Sequence, residues 1–268
     1  MMLQIRHETR YRYDEAVRQS VQSLRLTPRR EHGQRTLSWQ MTAPGRRTEQ
    51  LDAHGNISHL LTVDEPHHEI CIVVSGTVDV LDAGPLNLER GPISPLAYVA
   101  TTPLTTADHA IAELAVANLG GPLPNREQLA RLAHAVRVAV NYRPGTTTVA
   151  DTAVTALERA EGVCQDQAHV FLACCRAQRV PARYVSGYLL AGGGSDVASH
   201  AWVDAWVESE SAWLGIDVTH ASLVGADHCR LAVGRDYLDA APVRGVRRGG
   251  GNETLEVNVL VAIEAGQQ

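Results

Sequence analysis

The stretch Gly162-Val163-Cys164-Gln165-Asp166-Gln167-Ala168-His169 delivers a cysteine from a glycine turn into the start of an apolar-periodic segment. Ala168, Phe171, Leu172 and Cys175 recur at helical spacing and Pro181 forbids continuation, so the segment reads as a helix with one buried face. A helix amino end carries partial positive charge and unpaired N–H groups. A thiol placed there is biased toward thiolate, and the same N–H groups can stabilise an oxyanion. From this helix alone a second reading stands level with the first: free cysteines are among the most buried residue types, and Cys164 could serve packing only.

Partners for a nucleophile come from strand patterns after Pro181. Ala182 to Leu190, Ser199 to Glu208 and Ala212 to Thr219 read as strands, with a glycine turn at Gly192-Gly193-Gly194. On the middle strand His200, Trp202, Asp204 and Trp206 share one face; on the next, Trp213, Gly215 and Asp217 do. A hairpin turn within Glu208 to Ser211 makes these strands antiparallel and places His200 near Asp217. Taken singly, His200 is more often a satisfied core histidine and Asp217 a turn residue. Jointly with Cys164 they have the parts of nucleophilic acyl transfer, in which the imidazole takes the thiol proton and the carboxylate holds the ring.

His169 and His220 are rival bases ranked below His200, the first because it points around the helix and the second because it follows the strand end. Asp166 is assigned a structural role in the first helical turn, where the dipole favours an acid. Cys164, His200 and Asp217 could ligate zinc by type, but no local chelating pair supports a metal, and no cofactor is expected. His67-His68, adjacent on a strand, point to opposite faces and make a poor chelate.

The elements that must position these residues occupy a chain of 268 residues, 44% hydrophobic and 20% charged, with net charge -6. That balance is ordinary for a folded protein and gives no general attraction to nucleic acid or anionic membrane. The cluster Arg29, Arg30, Arg35 reads as a solvated run. Five cysteines without CxxC spacing make neither a disulfide framework nor a zinc pair, and Cys71, Cys174, Cys175 and Cys229 default to packing. The amino end lacks a signal-peptide core and no stretch is long and apolar enough to span a bilayer; the expected location is cytoplasmic.

Residues 3 to 13 alternate strictly, with Leu3, Ile5, His7, Thr9, Tyr11 and Tyr13 on one side. Shorter alternations at Leu24 and Leu26, at Leu37, Trp39 and Met41, at Ile57, His59, Leu61 and Val63, and at Ile70 to Val80 imply an antiparallel β-sandwich or sheet over residues 1–82. A proline-, glycine- and threonine-rich connection covers 83–105. The remainder, 106–268, reads as a second unit. Its helices are capped by Thr106 or Asp108 and by Asn125; a third runs from about Asp151 or Thr152 to Ala160, stopped by Gly162 in the left-handed position.

Three stretches of this second unit resemble the bacterial transglutaminase-like cysteine peptidases, whose core bears GVCxDxAH, then SHAWVxAW, then a strand ending in DxT. Here they are Gly162 to His169, Ser199 to Trp206, and Asp217-Val218-Thr219. The likeness extends to Ala182 to Tyr188, to Gly234-Arg235-Asp236-Tyr237, for which no role is derived, and to the amino-terminal β-domain. It implies an α+β protein with a papain-like transglutaminase core, in which the nucleophile helix packs on an antiparallel sheet. It also implies Cys164 as nucleophile, His200 as general base and acid, and Asp217 as orienting carboxylate. Val218 replaces the usual proline, a local change beside the acid.

The function expected is a hydrolytic cysteine peptidase or amidase acting on a peptide or amide substrate through a thioester. The alternatives are a protein-glutamine amine transferase and a peptide-binding module that has lost turnover. Trp202, Trp206 and Trp213 could wall an acceptor channel, but packing beneath the nucleophile helix is the expected place of Trp202 and Trp206. Oligomeric state is not legible in the sequence.

Overall fold

The computed structural model describes residues 1–82, 84, 86–87, 91–190 and 199–264. The expected glycine turn at 192–194 lies outside them.

The first strand, β1 (Met2–Leu24), carries the expected alternation and keeps going, with its register shifting between Arg12 and Val17. Around it lie β2 (Gln34–Thr42), β3 (Arg46–Leu51), β4 (Ile57–Val63) and β5 (His67–Val80), in the order β2-β5-β1-β4-β3. The amino-terminal unit is therefore antiparallel, as expected, and forms one curled seven-stranded sheet in place of two separate ones. Inside the curl Tyr13, Val17, Leu24, Leu61, Ile70, Ile72 and Val74 form the apolar core. β3 went unread because its six residues, Arg-Arg-Thr-Glu-Gln-Leu, are all exposed and show no alternation. At Gly76, where the side-chain row on β5 lapses, a Cβ would stand 2.6 Å from the Trp39 ring; the indole uses the space.

A short pair of residues, β6 (Leu86–Asn87), and two 3₁₀ turns, Pro95–Val99 and Pro103–Thr105, lead to α1 (His109–Leu119) and α2 (Arg126–Ala139). Asp108 and Asn125 cap these helices through their side chains. Then come β7 (Asn141–Tyr142), α3 (Ala153–Arg159) with Thr152 as its cap, β8 (Glu161–Gly162) and α4 (Cys164–Ala177). The left-handed residue ending α3 is Ala160, at φ 55°, and not Gly162.

The second sheet contains β9 (Ala182–Leu189), β10 (Ser199–Val207), β11 (Ala212–Asp217), β12 (Ser222–Leu223) and β13 (His228–Gly234). Its order is β12-β11-β10-β9-β13, with β6 added to β11. α4 packs on β10 and β9, and α1, α2 and α3 surround it. Ala201, Val203, Ala205 and Val207 make the sheet face that meets the helix, joined by Leu214 and Ile216.

After α5 (Tyr237–Ala240) the chain leaves this core. Strands β14 (Val243–Gly249) and β15 (Glu253–Ile263) pair with the two halves of β1, so the carboxyl-terminal segment closes the first sheet, where a division at residue 106 had placed it with the core. Leu3, Ile5, Val78 and Val80 meet Tyr188, Cys229 and Leu231 in an apolar seam between the sheets.

The rest of that junction is polar. Glu31 binds Arg230 at 2.7 Å and Arg29 at 3.4 Å, and the Gln34 side chain both donates to the Arg230 carbonyl and accepts from its N–H, each at 2.8 Å. Arg29, read from the sequence as part of a solvated run, is buried here and donates to Asn56; Arg30 and Arg35 do lie in solvent. Arg29 escapes the pattern because Asn56, to which it donates, lies in the turn before β4, far away in sequence.

Candidate active site

Cys164 opens α4 as its first helical residue, preceded by Val163 in extended conformation, and its side chain is half-buried. Gly162 sets the approach: a Cβ there would stand 2.7 Å from Cβ of Asp166. With that space free, Asp166 folds back to accept the Val163 N–H and the Thr147 hydroxyl, each at 2.8 Å. Burial raises the Asp166 pKa, against these hydrogen bonds. The residue pins the turn that delivers the thiol.

His200, near the start of β10, and Asp217, the last residue of β11, sit on neighbouring antiparallel strands. His200 Nε2 lies 2.8 Å from Asp217 Oδ2. That leaves Nδ1 of the ring free of the carboxylate, and Cys164 lies near enough for its charge to act on the imidazole. Burial opposes charging this imidazole, but hydrogen bonds to Asp217 and Cys164, with the charges on both, outweigh it and raise the pKa to about 10. Burial also disfavours the Asp217 carboxylate; hydrogen bonds from His200, His228 and His220 reverse that and hold its pKa far below the usual carboxylate range. Of the three residues singled out by sequence, His200 and Asp217 thus meet, and Cys164 opens the helix near them.

Behind His200 the Trp202 indole lies nearly parallel to the imidazole, with ring centroids 6.2 Å apart. Gly187, opposite His200 on β9, makes room: a Cβ there would fall 2.3 Å from the indole edge. The position expected for the tryptophans needs correction. Alanines and valines, not Trp202 and Trp206, lie beneath the nucleophile helix, because small side chains let the helix approach the sheet. The tryptophans lie on the other face of the sheet, where Arg230 lies over Trp202 at 5.6 Å, Arg183 over Trp213 at 4.3 Å, and Trp206 meets Trp213 edge-on at 5.3 Å.

The rival histidines separate. His169 is fully buried, accepts the Tyr237 N–H at 3.2 Å, and has its pKa lowered to about 3 by burial and by the Arg176 charge. This contact supplies a place for Gly234-Tyr237: Asp236 caps α5, the Arg235 carbonyl accepts from Arg176 of α4, and Tyr237 docks on His169. His220 shares the Asp217 carboxylate, with Nδ1 2.7 Å from Oδ2.

A third ring on the same oxygen, His228 with Nε2 at 3.1 Å, was missed from the sequence. The only local signal is an Asp-His pair opening an apolar strand, which by itself distinguishes nothing. Among the described residues, His200, Asp217 and His228 form a group whose ligand atoms lie within 4.8 Å of one another. Their type could hold a metal ion, but both ring nitrogens already donate to the carboxylate, and an ion would have to displace those protons. Burial pushes Cys174 up to about 12 and Cys175 well above the ordinary thiol value, consistent with packing roles.

The bacterial transglutaminase-like N-terminal region matches residues 3–79, and the transglutaminase-like superfamily matches 112–218. An uncharacterized protein of Mycobacterium tuberculosis is 35% identical over 96% of this chain and 91% of its own length. The chain belongs to the transglutaminase-like superfamily. An uncharacterized protein of Mycobacterium leprae is 29% identical over 97% of the chain and 98% of its own length. Among solved structures, a candidate cysteine protease from Cytophaga hutchinsonii covers all of this chain and 92% of its own, at TM-score 0.80 and 21% identity. That likeness speaks for the fold, both sheets included. Superfamily membership supports cysteine-based catalysis as the general chemistry of the site.

Proposed function

We propose that the protein is a cysteine peptidase or amidase that cleaves a peptide or amide bond through a thioester on Cys164. The observation that carries this is the His200–Asp217 pair at 2.8 Å, with the half-buried Cys164 near enough for its charge to act on the imidazole. Nδ1 of His200 takes the thiol proton and the thiolate attacks the carbonyl carbon. Amide N–H groups at the start of α4 receive the developing oxyanion. Collapse of that intermediate expels the amine, protonated by the imidazolium, and leaves the acyl group on sulfur. Water, deprotonated by the neutral imidazole, then releases the acid and restores the thiol. Asp217 keeps the proton on Nε2 so that Nδ1 remains the working nitrogen.

Water is favoured over a protein lysine as acceptor because Trp202, Trp206 and Trp213, the indoles available to wall an acceptor channel, are all buried in contacts with other side chains. The test is a peptide-amide library with a labelled small amine present, read by mass for hydrolysis and amine transfer together. Hydrolysis should dominate. Isopeptide formation with negligible hydrolysis reverses the choice, and no turnover of either kind, with Cys164 unlabelled by thiol-directed acylating probes, favours a binding module.

A further inference from the structure

His228, at the start of β13, is buried between two carboxylates. Its Nε2 lies 3.1 Å from Asp217 Oδ2 and its Nδ1 2.6 Å from Asp227 Oδ1. The Gly225 N–H also points at Nδ1, from 3.3 Å. Nδ1 can accept from Gly225 or donate to Asp227, and the carboxylate contact is the shorter. With a proton on each nitrogen the ring makes two charge-assisted hydrogen bonds; with only one, a ring lone pair faces a carboxylate oxygen.

The other groups around this ring do not supply that charge. Trp202 meets it edge-on at 5.2 Å, and the His200 ring stands 6.3 Å away, across Asp217. His220 reaches Asp217 from the turn after β11. Arg230, two residues along β13, is committed to Asp204 and Glu31.

We propose that His228 is a positioning residue of the catalytic centre: a doubly protonated imidazole clamped between Asp227 and Asp217, which fixes the carboxylate against His200 and offsets part of its negative charge. This rests on the Cys164, His200, Asp217 reading above. Burial works against the charged ring, but the bonds to Asp217 and Asp227 outweigh it and raise its pKa. A fixed cation one residue behind the triad favours the anion on Cys164. Removing it raises the pH at which the thiol ionises.

Two measurements test the inference. Nitrogen-15 spectra of the histidine-labelled protein should show both ring nitrogens of His228 protonated at neutral pH, and Asp227→Asn should bring the loss of one proton into the neutral range. Alkylation of Cys164 by iodoacetamide, followed against pH, should show its ionisation shifted upward by about one pH unit in His228→Gln, which keeps an N–H for Asp217 but no charge. Asp227→Asn should shift it in the same direction by less.

A neutral His228 whose Nδ1 accepts from Gly225, or a His228→Gln profile superimposable on the parent, overturns the proposal. If instead the parent profile matches that of His200→Ala, the triad reading itself fails, whatever His228 does. Asp227 is partly exposed, so its variant and the spectra decide the matter even if His228→Gln does not fold.

Discussion

The Thr219 hydroxyl donates to Oε1 of Gln167 at 2.6 Å, tying the strand that ends in Asp217 to the helix that begins with Cys164. Gln167 in turn donates to the Val140 carbonyl at 2.8 Å, so the helix start is held from α2 as well. Nucleophile and carboxylate, 53 residues apart in sequence (217 minus 164), are thereby fixed by one side-chain bond within a turn of each. Thr219→Val keeps the shape and removes the donor. It should lower stability by about 1 kcal/mol, and lower kcat by roughly three- to tenfold with KM little changed, since binding is untouched while alignment is loosened. Thermal unfolding and steady-state kinetics on the best peptide amide check both. Unaltered kcat would mean that the sheet and helix hold their relative place without this bond.

Loss of triad members should be graded. Cys164→Ala removes the covalent step. His200→Ala costs at least about a thousandfold, and Asp217→Ala retains about ten to a hundred times more activity than Cys164→Ala, because residues acting as a unit are not additive. Intact-mass detection of the thioester separates the cases: none in Cys164→Ala, slow accumulation in the other two. Full turnover by Cys164→Ala would remove the nucleophile assignment.

Much of this site was legible in the sequence because each part obeyed a local rule. Cys164 follows a glycine turn into a helix period, and the two-residue alternation of β10 and β11 put His200 and Asp217 on one face, diagonally related across the two strands. What stayed hidden depended on contacts distant in sequence. His228 reaches Asp217 only through the place of β13 beside β9, and no spacing encodes that. Strands β14 and β15 look like any carboxyl-terminal strands, and only the length of β1 offers them a partner in the first sheet. The tryptophans share one face of β10 as alternation requires, but α4 lies on the other, and the run Ala201, Val203, Ala205, Val207 is the signal for it, being small enough for a helix to lie on.

Acid sensitivity should have an identifiable source in His7. This residue of β1 is buried, with Nδ1 2.8 Å from the Tyr188 hydroxyl and Nε2 2.8 Å from the Thr9 hydroxyl, and burial lowers its pKa from 6.5 to about 4. Between those values the unfolded chain binds a proton that the folded chain refuses, so stability falls as pH drops from 6.5 toward about 4. His7 should account for on the order of 2 to 3 kcal/mol of that loss. His169, also held neutral by burial, adds to the slope. Urea midpoints taken across this range should fall less steeply in His7→Gln than in the parent. Equal slopes would show that the ring is protonated without penalty.

The last prediction concerns Asp204, which lies in the Ser199 to Trp206 stretch but belongs to the scaffold. Its carboxylate is fully buried, and Oδ2 accepts from Arg183 Nε at 2.9 Å and from Arg230 Nη1 at 2.6 Å. Burial disfavours the charge, and the two guanidinium groups more than offset it, so the pKa is lowered. Through Arg230 the network continues to Glu31, in the connection between β1 and β2 of the first sheet. Asp204→Asn keeps the volume but leaves two buried cations with one fewer counter-charge, a change that typically costs about 3 to 5 kcal/mol. The loss should appear as a large fall in unfolding midpoint, with kcat measured well below that midpoint nearly unchanged, since Asp204 touches none of the reacting atoms. Glu31→Gln combined with Asp204→Asn should destabilise by less than the sum of the two alone, because both act on Arg230. Strict additivity would show that the two carboxylates stabilise the junction independently, and a selective loss of kcat in Asp204→Asn would move this residue from scaffold to mechanism.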